Sequence, residues 1–228
     1  MIELVRGMRL LSEAQLEASA VVANNAMNRE RGLAGVNSYA KDLGFDPLAF
    51  LRARPAAPGR TSWLDLCCGS GRALIEAARA ADRVDVVGVD LVDFFDGHEE
   101  LPNLRLFTSS VAGFHPDRTF DLITCVHGLH YVGDKLGLLT RALAWLAPDG
   151  LFAANFDLSN VKIEGGSTEG EIVRVLAAGG IDYHVRRRML SRRGPTIIDF
   201  PFRYIGADDH AGPNYTGQPA VNSHYERL

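Results

Sequence analysis

The chain has 228 residues, a net charge of −4 and 46% hydrophobic residues, enough to bury one sizeable core and favouring a single unit with decoration over two independent ones. The acidic balance argues against a large nucleic-acid footprint, which relies on an excess of Lys and Arg, and no apolar run approaches the roughly 20 residues needed to span a bilayer. The opening segment lacks a signal-peptide core, so a cytoplasmic location is expected, and the 3 cysteines form neither a zinc pattern nor a disulfide framework.

Three regions follow in chain order. The first, residues 1–58, reads as a helical lid. Ser12 with Gln15 is a capping-box pattern before a helix expected to run to about Ala26. Asp46-Pro47 marks a second helix start, with Asp as cap and Pro at the first helical position, and Pro55 is the expected stop.

The second region, residues 59–158, alternates strands and helices. Strands are expected at Trp63 to Leu66, Val84 to Val89, Leu104 to Thr108, Asp121 to Val126 and Leu151 to Phe156. Helical crossovers between them imply parallel pairing, and Leu136, Leu139, Leu143 and Leu146 give a helical stripe before the fifth. After the first strand, Gly69 and Gly71 allow a tight turn and close approach to a ligand before a helix over Arg72 to Ala81. The second strand delivers Asp90, whose carboxylate can accept both hydroxyls of a ribose. A pocket for an adenosine-containing cofactor is the consequence. A dinucleotide fingerprint wants a third small residue for helix packing, and Leu74 stands there instead, which weakens a nicotinamide reading.

In the third region, residues 159–228, a helix is expected near Thr168 to Ala178, followed by strand-like runs at Ile181 to Arg187 and Thr196 to Tyr204. The Gly194-Pro195 pair between them predicts the turn of an antiparallel hairpin. Ala207 to Tyr225 shows neither helical nor strand period and reads as a long loop facing substrate or a second subunit, or as a frayed tail.

The segment from Asp65 to Gly71 closely resembles motif I of class I S-adenosylmethionine-dependent methyltransferases. Val87 to Asp90 is similar to that family's ribose-binding acidic strand. Phe120 to His127 and Leu146 to Gly150 resemble its fourth strand and the turn before its fifth, so the likeness covers Ser62 to Asp157. The resemblance implies a Rossmann-like, doubly wound, mostly parallel seven-stranded α/β sheet with an antiparallel last hairpin, and S-adenosyl-L-methionine as cofactor. It places Asp65, Cys67, Gly69 and Gly71 at the methionine arm, and Asp90 and Leu91 at the ribose and adenine. Ser109, Ser110, Val111 and Val126 then line the rest, with Ser110 standing where an Asp often receives the adenine amino group.

Methyl transfer to an alcohol or phenol needs a positioned nucleophile and a group to take its proton. His127 and His130 follow the fourth strand and are the candidate general bases, since imidazoles exchange protons near neutral pH. Arg29 or Arg31 is a candidate partner for the methionine carboxylate, and Tyr39 a candidate to close over the cofactor. Tyr131, Asp157, Asn214 and Tyr215 are candidate substrate contacts, with Asn155 a lesser one. The arginines at 186, 187, 188, 192 and 193 read as a solvated hairpin tip. The expected activity is methyl transfer to a small molecule, a specialised metabolite above all, by a monomer or homodimer. An RNA-modifying enzyme, a non-catalytic cofactor-binding regulator, and an enzyme that cleaves or cyclises the sulfonium remain alternatives.

Overall fold

The computed structural model describes residues 4–5, 8–23, 30–54, 59–97, 100–166 and 169–228. The expected helix end at Ala26, Arg29, the stop at Pro55 and the helix start at Thr168 lie outside the described residues.

A short antiparallel pair, β1 (Leu4–Val5) and β2 (Met8–Arg9), precedes α1 (Glu13–Glu17) and α2 (Ala20–Ala23). The capping box forms as the sequence predicts: the Ser12 hydroxyl accepts from the Gln15 amide and the Gln15 side chain accepts from the Ser12 amide. Ser38 caps α3 (Tyr39–Leu43), which ends at the left-handed Gly44. Asp46 caps α4 (Pro47–Arg52) by accepting from the Leu48 and Ala49 amides.

The central sheet is built from β3 (Thr61–Leu66), β4 (Val84–Asp90), β5 (Leu104–Thr108), β6 (Phe120–Cys125) and β7 (Leu146–Asn155), with β9 (Asp182–His184) and β10 (Met189–Arg193) beyond them. Its order is β5-β4-β3-β6-β7-β10-β9, parallel from β5 through β7 and antiparallel where β10 meets β7 and β9. This is the seven-stranded Rossmann-like sheet that the sequence predicts. All six residues of β3 are buried because both faces are covered. On one face Trp63 and Leu122 pack with Leu74 of α5 (Arg72–Ala80) and Leu51 of α4. On the other, Leu64 and Phe152 pack with Leu136, Leu139 and Leu143 of α6 (Lys135–Ala144) and with Ile172 and Leu176 of α7 (Glu169–Ala178).

Two expectations for the third region are corrected. The hairpin turn is a 3-10 turn at Val185–Arg187 closed by the left-handed Arg188, not Gly194-Pro195. Gly194 instead ends β10, its amide donating to the Gly150 carbonyl. The chain then leaves the central sheet, and Ile198 and Phe200 bury themselves in the α6 face before β11 (Phe202–Asp208) begins, so their alternation imitates a longer strand.

The second correction concerns the tail, which is neither frayed nor a free loop over its last part. β12 (Asn222–Arg227) pairs antiparallel with β11 and parallel with β8 (Val161–Ile163). Its polar residues are buried with partners: Ser223 and the Val221 carbonyl accept from Lys135, Tyr225 donates to Asp134, and His224 meets Asp208. Satisfied polar side chains make a buried strand whose composition reads as loop.

Candidate active site

The carboxyl ends of β3, β4, β5 and β6 open onto one crevice, the place where ligands sit in an open parallel sheet. Leaving β3, the chain takes left-handed conformations at Cys67 (φ 60°), Gly69 (φ 61°) and Gly71 (φ 71°) before entering α5. A left-handed cysteine costs about 1 to 2 kcal/mol, strain of the kind that collects at ligand clamps. The loop is tied to β4, since the Cys68 amide donates to the Val89 carbonyl and the Gly69 amide donates to Asp90 Oδ2 at 2.7 Å. Asp90 Oδ1 accepts from the Val92 amide at 3.3 Å.

A cavity open to solvent lies above this loop. Cys67, Gly69 and Asp90 form its floor, Leu91, Val111, Val126 and Val132 its apolar walls, and His127, Gly128 and Tyr131 its far side. Glu13, Glu17 and Val22, on α1 and α2, face it from above. Apolar walls around an acidic strand end and a glycine turn fit a nucleoside, whose base needs flat apolar contacts and whose ribose needs a hydrogen-bond acceptor. A Cβ on Gly128 would stand 2.4 Å from the Cys67 Cβ and 2.8 Å from the Cys125 Sγ, so the loop after β6 approaches the glycine turn as closely as a glycine permits.

Of the residues singled out from sequence, Cys67, Gly69, Asp90, Leu91, Ser110, Val111, Val126, His127 and Tyr131 line this cavity. Ser110 donates its hydroxyl to Glu17 and accepts from the Ala112 amide, which couples the end of β5 to α1. Ser109 lies at the strand exit, its amide on the Asp90 carbonyl. Gly71 caps α5 behind the loop rather than lining the space.

Asp65 and Tyr39 sit below the floor. Asp65 is fully buried and accepts from the Tyr39 hydroxyl at 2.7 Å and from the Thr124 hydroxyl, which itself accepts from Trp63 Nε1 at 2.8 Å. Burial pushes the Asp65 carboxyl up to about 7, against the two hydroxyl donors and with the nearby Asp90 charge adding to the rise. Tyr39 therefore anchors α3 to β3, and its hydroxyl is committed to Asp65.

His127 takes a left-handed backbone conformation (φ 58°), its amide donating to Asn155 Oδ1 at 3.2 Å. Its Nε2 lies 3.4 Å from Asp42 Oδ2, and its Nδ1 lies 3.4 Å from the Tyr215 hydroxyl. Arg31 also binds Asp42, at 2.7 Å, so its guanidinium is engaged within the protein. Arg188 pairs with Asp157 and lies 4.7 Å over the Tyr215 ring. The Asp157 carboxylate also caps the turn at Ser159. The Asn214 side-chain oxygen accepts from Thr216 and Gln218, holding the turn that presents Tyr215.

His130 is not among the residues that line the cavity. It is buried beside the His127, Tyr131 and Tyr215 rings, and both its ring nitrogens lack a hydrogen-bond partner among the described residues. Burial, then the neighbouring His127 and cationic groups, pushes its imidazole down to about 3, so it takes up no proton at neutral pH.

The arginine cluster is dispersed. Arg187 reaches the Asp42 carbonyl, Arg192 the carbonyls of Gly179 and Gly180 after α7, and Arg193 the Phe50 ring. No helix among the described residues is long and apolar enough to cross a membrane.

Sequence reading missed Glu13, Glu17, Asp42 and Gly128. The capping box located α1 without showing which face it turns to the cavity. Asp42 lies one helical turn after Tyr39, and that i, i+3 spacing was its one available signal.

A seven-stranded sheet with an acidic second-strand end, a glycine turn and a crevice at the strand ends defines a methyltransferase domain of the Rossmann-like class. A family model described as a methyltransferase domain matches residues 36–189, and the chain belongs to that family. Among curated relatives, the trans-aconitate 2-methyltransferase of Variovorax paradoxus (strain S110) is 34% identical over 110 residues, 47% of this chain and 42% of that protein. The chain thus spans less than half the length of the relative it matches. Solved structures that it resembles include coclaurine N-methyltransferase bound to N-methylheliamine and SAH (18% identity, 65% of this chain and 48% of that one, TM-score 0.43). Streptomyces venezuelae DesVI is another (24% identity, 51% and 50%, TM-score 0.39).

Proposed function

We propose that the protein methylates an oxygen of a small-molecule acceptor, a specialised or other metabolite, with His127 as general base. The observation that carries this reading is His127 itself: an imidazole at the cavity wall, held through its backbone by Asn155 and through its ring by Asp42 and Tyr215. When bound, S-adenosylmethionine supplies a methyl carbon on a sulfonium, and the electron pair of the broken S–C bond stays with sulfur. The acceptor oxygen gives its electron pair to the new C–O bond and its proton to His127. Asp90 accepts hydrogen bonds from the ribose, and the walls of Leu91, Val111 and Val126 exclude water from the base.

A carboxylate acceptor is the second reading, supported by the relative that acts on trans-aconitate. Such an acceptor is already ionised and needs no base. The test is a screen of hydroxylated and carboxylated metabolites with methyl-labelled cofactor, read by mass spectrometry, on wild type and His127→Gln. Loss of turnover of at least 100-fold in the variant supports the hydroxyl reading. Wild-type turnover in His127→Gln removes it and favours the carboxylate.

A further inference from the structure

We infer that Asp42 is a positioning residue for this site, holding the Nε2 proton of His127 so that Nδ1 is the basic nitrogen and the acceptor hydroxyl takes the place of the Tyr215 hydroxyl. The inference rests on the reading of His127 as base and adds which nitrogen acts, what orients it and where the acceptor sits.

The argument begins with Tyr215. Burial, then the nearby Asp157 and Asp42 charges, pushes its phenol up to about 12, so at neutral pH it keeps its proton. On the His127 ring this hydroxyl meets Nδ1, at 3.4 Å, while its oxygen also bonds the Asn155 side chain. A neutral imidazole carries a single N–H, and a ring that accepts from a phenol at Nδ1 carries its proton at Nε2. Nε2 faces Asp42 Oδ2, a carboxylate suited to that proton. Burial alone would raise the Asp42 carboxyl, but the contacts with His127 and Arg31 outweigh it and hold the group below the usual carboxylate range.

The other groups around the ring do not compete for this role. His130 is neutral, Asn155 accepts from the His127 backbone, Asp157 is taken by Arg188, and Arg31 is taken by Asp42. Asp42 is itself fixed. α3 is capped by Ser38, ended by Gly44 and anchored on β3 through Tyr39, while Arg187 reaches the Asp42 carbonyl. A phenol donating to Nδ1 makes the same contact that an acceptor O–H must make before giving up its proton. Tyr215 is 39% exposed, so its side chain is not wholly enclosed by the protein.

The test needs no acceptor. Ring ¹⁵N resonances of the histidines are followed from pH 5 to pH 9 in the folded protein, with His127 assigned by its loss in His127→Gln. The expected neutral form carries its proton at Nε2. In Asp42→Asn the carboxylate that holds the Nε2 proton is gone, so the Nε2-protonated share of the neutral ring falls, and Asp42→Glu restores most of it. An Nδ1-protonated neutral ring in the wild type overturns the proposal even if Asp42→Asn does not fold. An unchanged tautomer balance in a folded Asp42→Asn also overturns it. Wild-type turnover in His127→Gln would instead remove the base reading while leaving the Asp42–His127 pairing measured, so the two failures are distinguishable.

Discussion

Replacing Asp65 by Asn should raise stability relative to wild type by an amount that grows from about pH 4 to pH 7 and then levels off. Asp65 is completely buried between β4 and β6, and its donors are two neutral hydroxyls rather than a cation. Its folded-state value of about 7 lies above the ordinary 3.8, so the native protein holds a proton that the unfolded chain has released. Stability therefore falls as pH rises from about 4 towards 7. Integrated between pH 5 and pH 8, the two values give roughly 2 units of differential ionisation, or about 2.5 kcal/mol. Asparagine carries no charge at either pH, so any cost of turning its amide towards Tyr39 or Thr124 is a constant offset. His130 acts in the opposite sense: its lowered value makes stability fall as pH drops below about 6.5. That contribution is common to both proteins and cancels in their difference. Urea unfolding followed by Trp63 and Trp145 fluorescence at the two pH values measures that difference. A gap between Asp65→Asn and wild type that is equal at pH 5 and pH 8 would refute the buried, cation-free account of this carboxylate.

Three further outcomes are expected. Asp90→Ala should weaken S-adenosylhomocysteine binding by about 1.5 to 3 kcal/mol in calorimetric titration, and unchanged affinity would remove Asp90 from the ribose. Gly128→Ala should destabilise by about 1 to 3 kcal/mol, seen as a lowered urea midpoint, because the new methyl meets the Cys67 Cβ at 2.4 Å; a wild-type midpoint would mean that the two loops separate at no cost. Deleting the chain after Gly206 should abolish cooperative unfolding as well as cofactor binding, since it removes the carbonyl and hydroxyl that receive the buried Lys135 ammonium. A truncated protein with a sharp unfolding transition would show that β12 is dispensable.

The parallel core was legible because β3, β4 and β6 are short apolar runs bounded by glycine, proline and charged residues, a pattern dictated by burial on both faces. The cofactor side of the site was legible for the same local reason: the glycine turn follows β3 directly and Asp90 ends β4. The acceptor side was not, because it is assembled from segments far apart in sequence. Asp42, His127, Arg188 and Tyr215 come from α3, the loop after β6, the turn before β10 and the segment before β12, and no spacing rule links them. The hairpin failed on a strong turn signal in the wrong place: Gly194-Pro195 closes a strand against Gly150, whereas Arg188 adopts the left-handed turn that a glycine would have advertised. β12 was hidden by its chemistry, since Asn222, Ser223 and His224 are polar yet buried.

The way β12 meets the loop after β6 has a kinetic consequence. The Val221 amide donates to the His130 carbonyl, Lys135 donates to the Val221 carbonyl, and the Leu136 amide donates to the Tyr225 hydroxyl. The last two contacts join residues 86 and 89 positions apart. Closing a chain loop of that length costs entropy before any contact repays it, so these bonds form late in folding. The sheet and its glycine turn can assemble earlier from nearer neighbours, while the segment carrying His127 gains its final shape only when β12 docks. Amide exchange should then divide the crevice in two, with slow exchange along β3 and β4 and faster, jointly protected exchange for the His130 loop and β12.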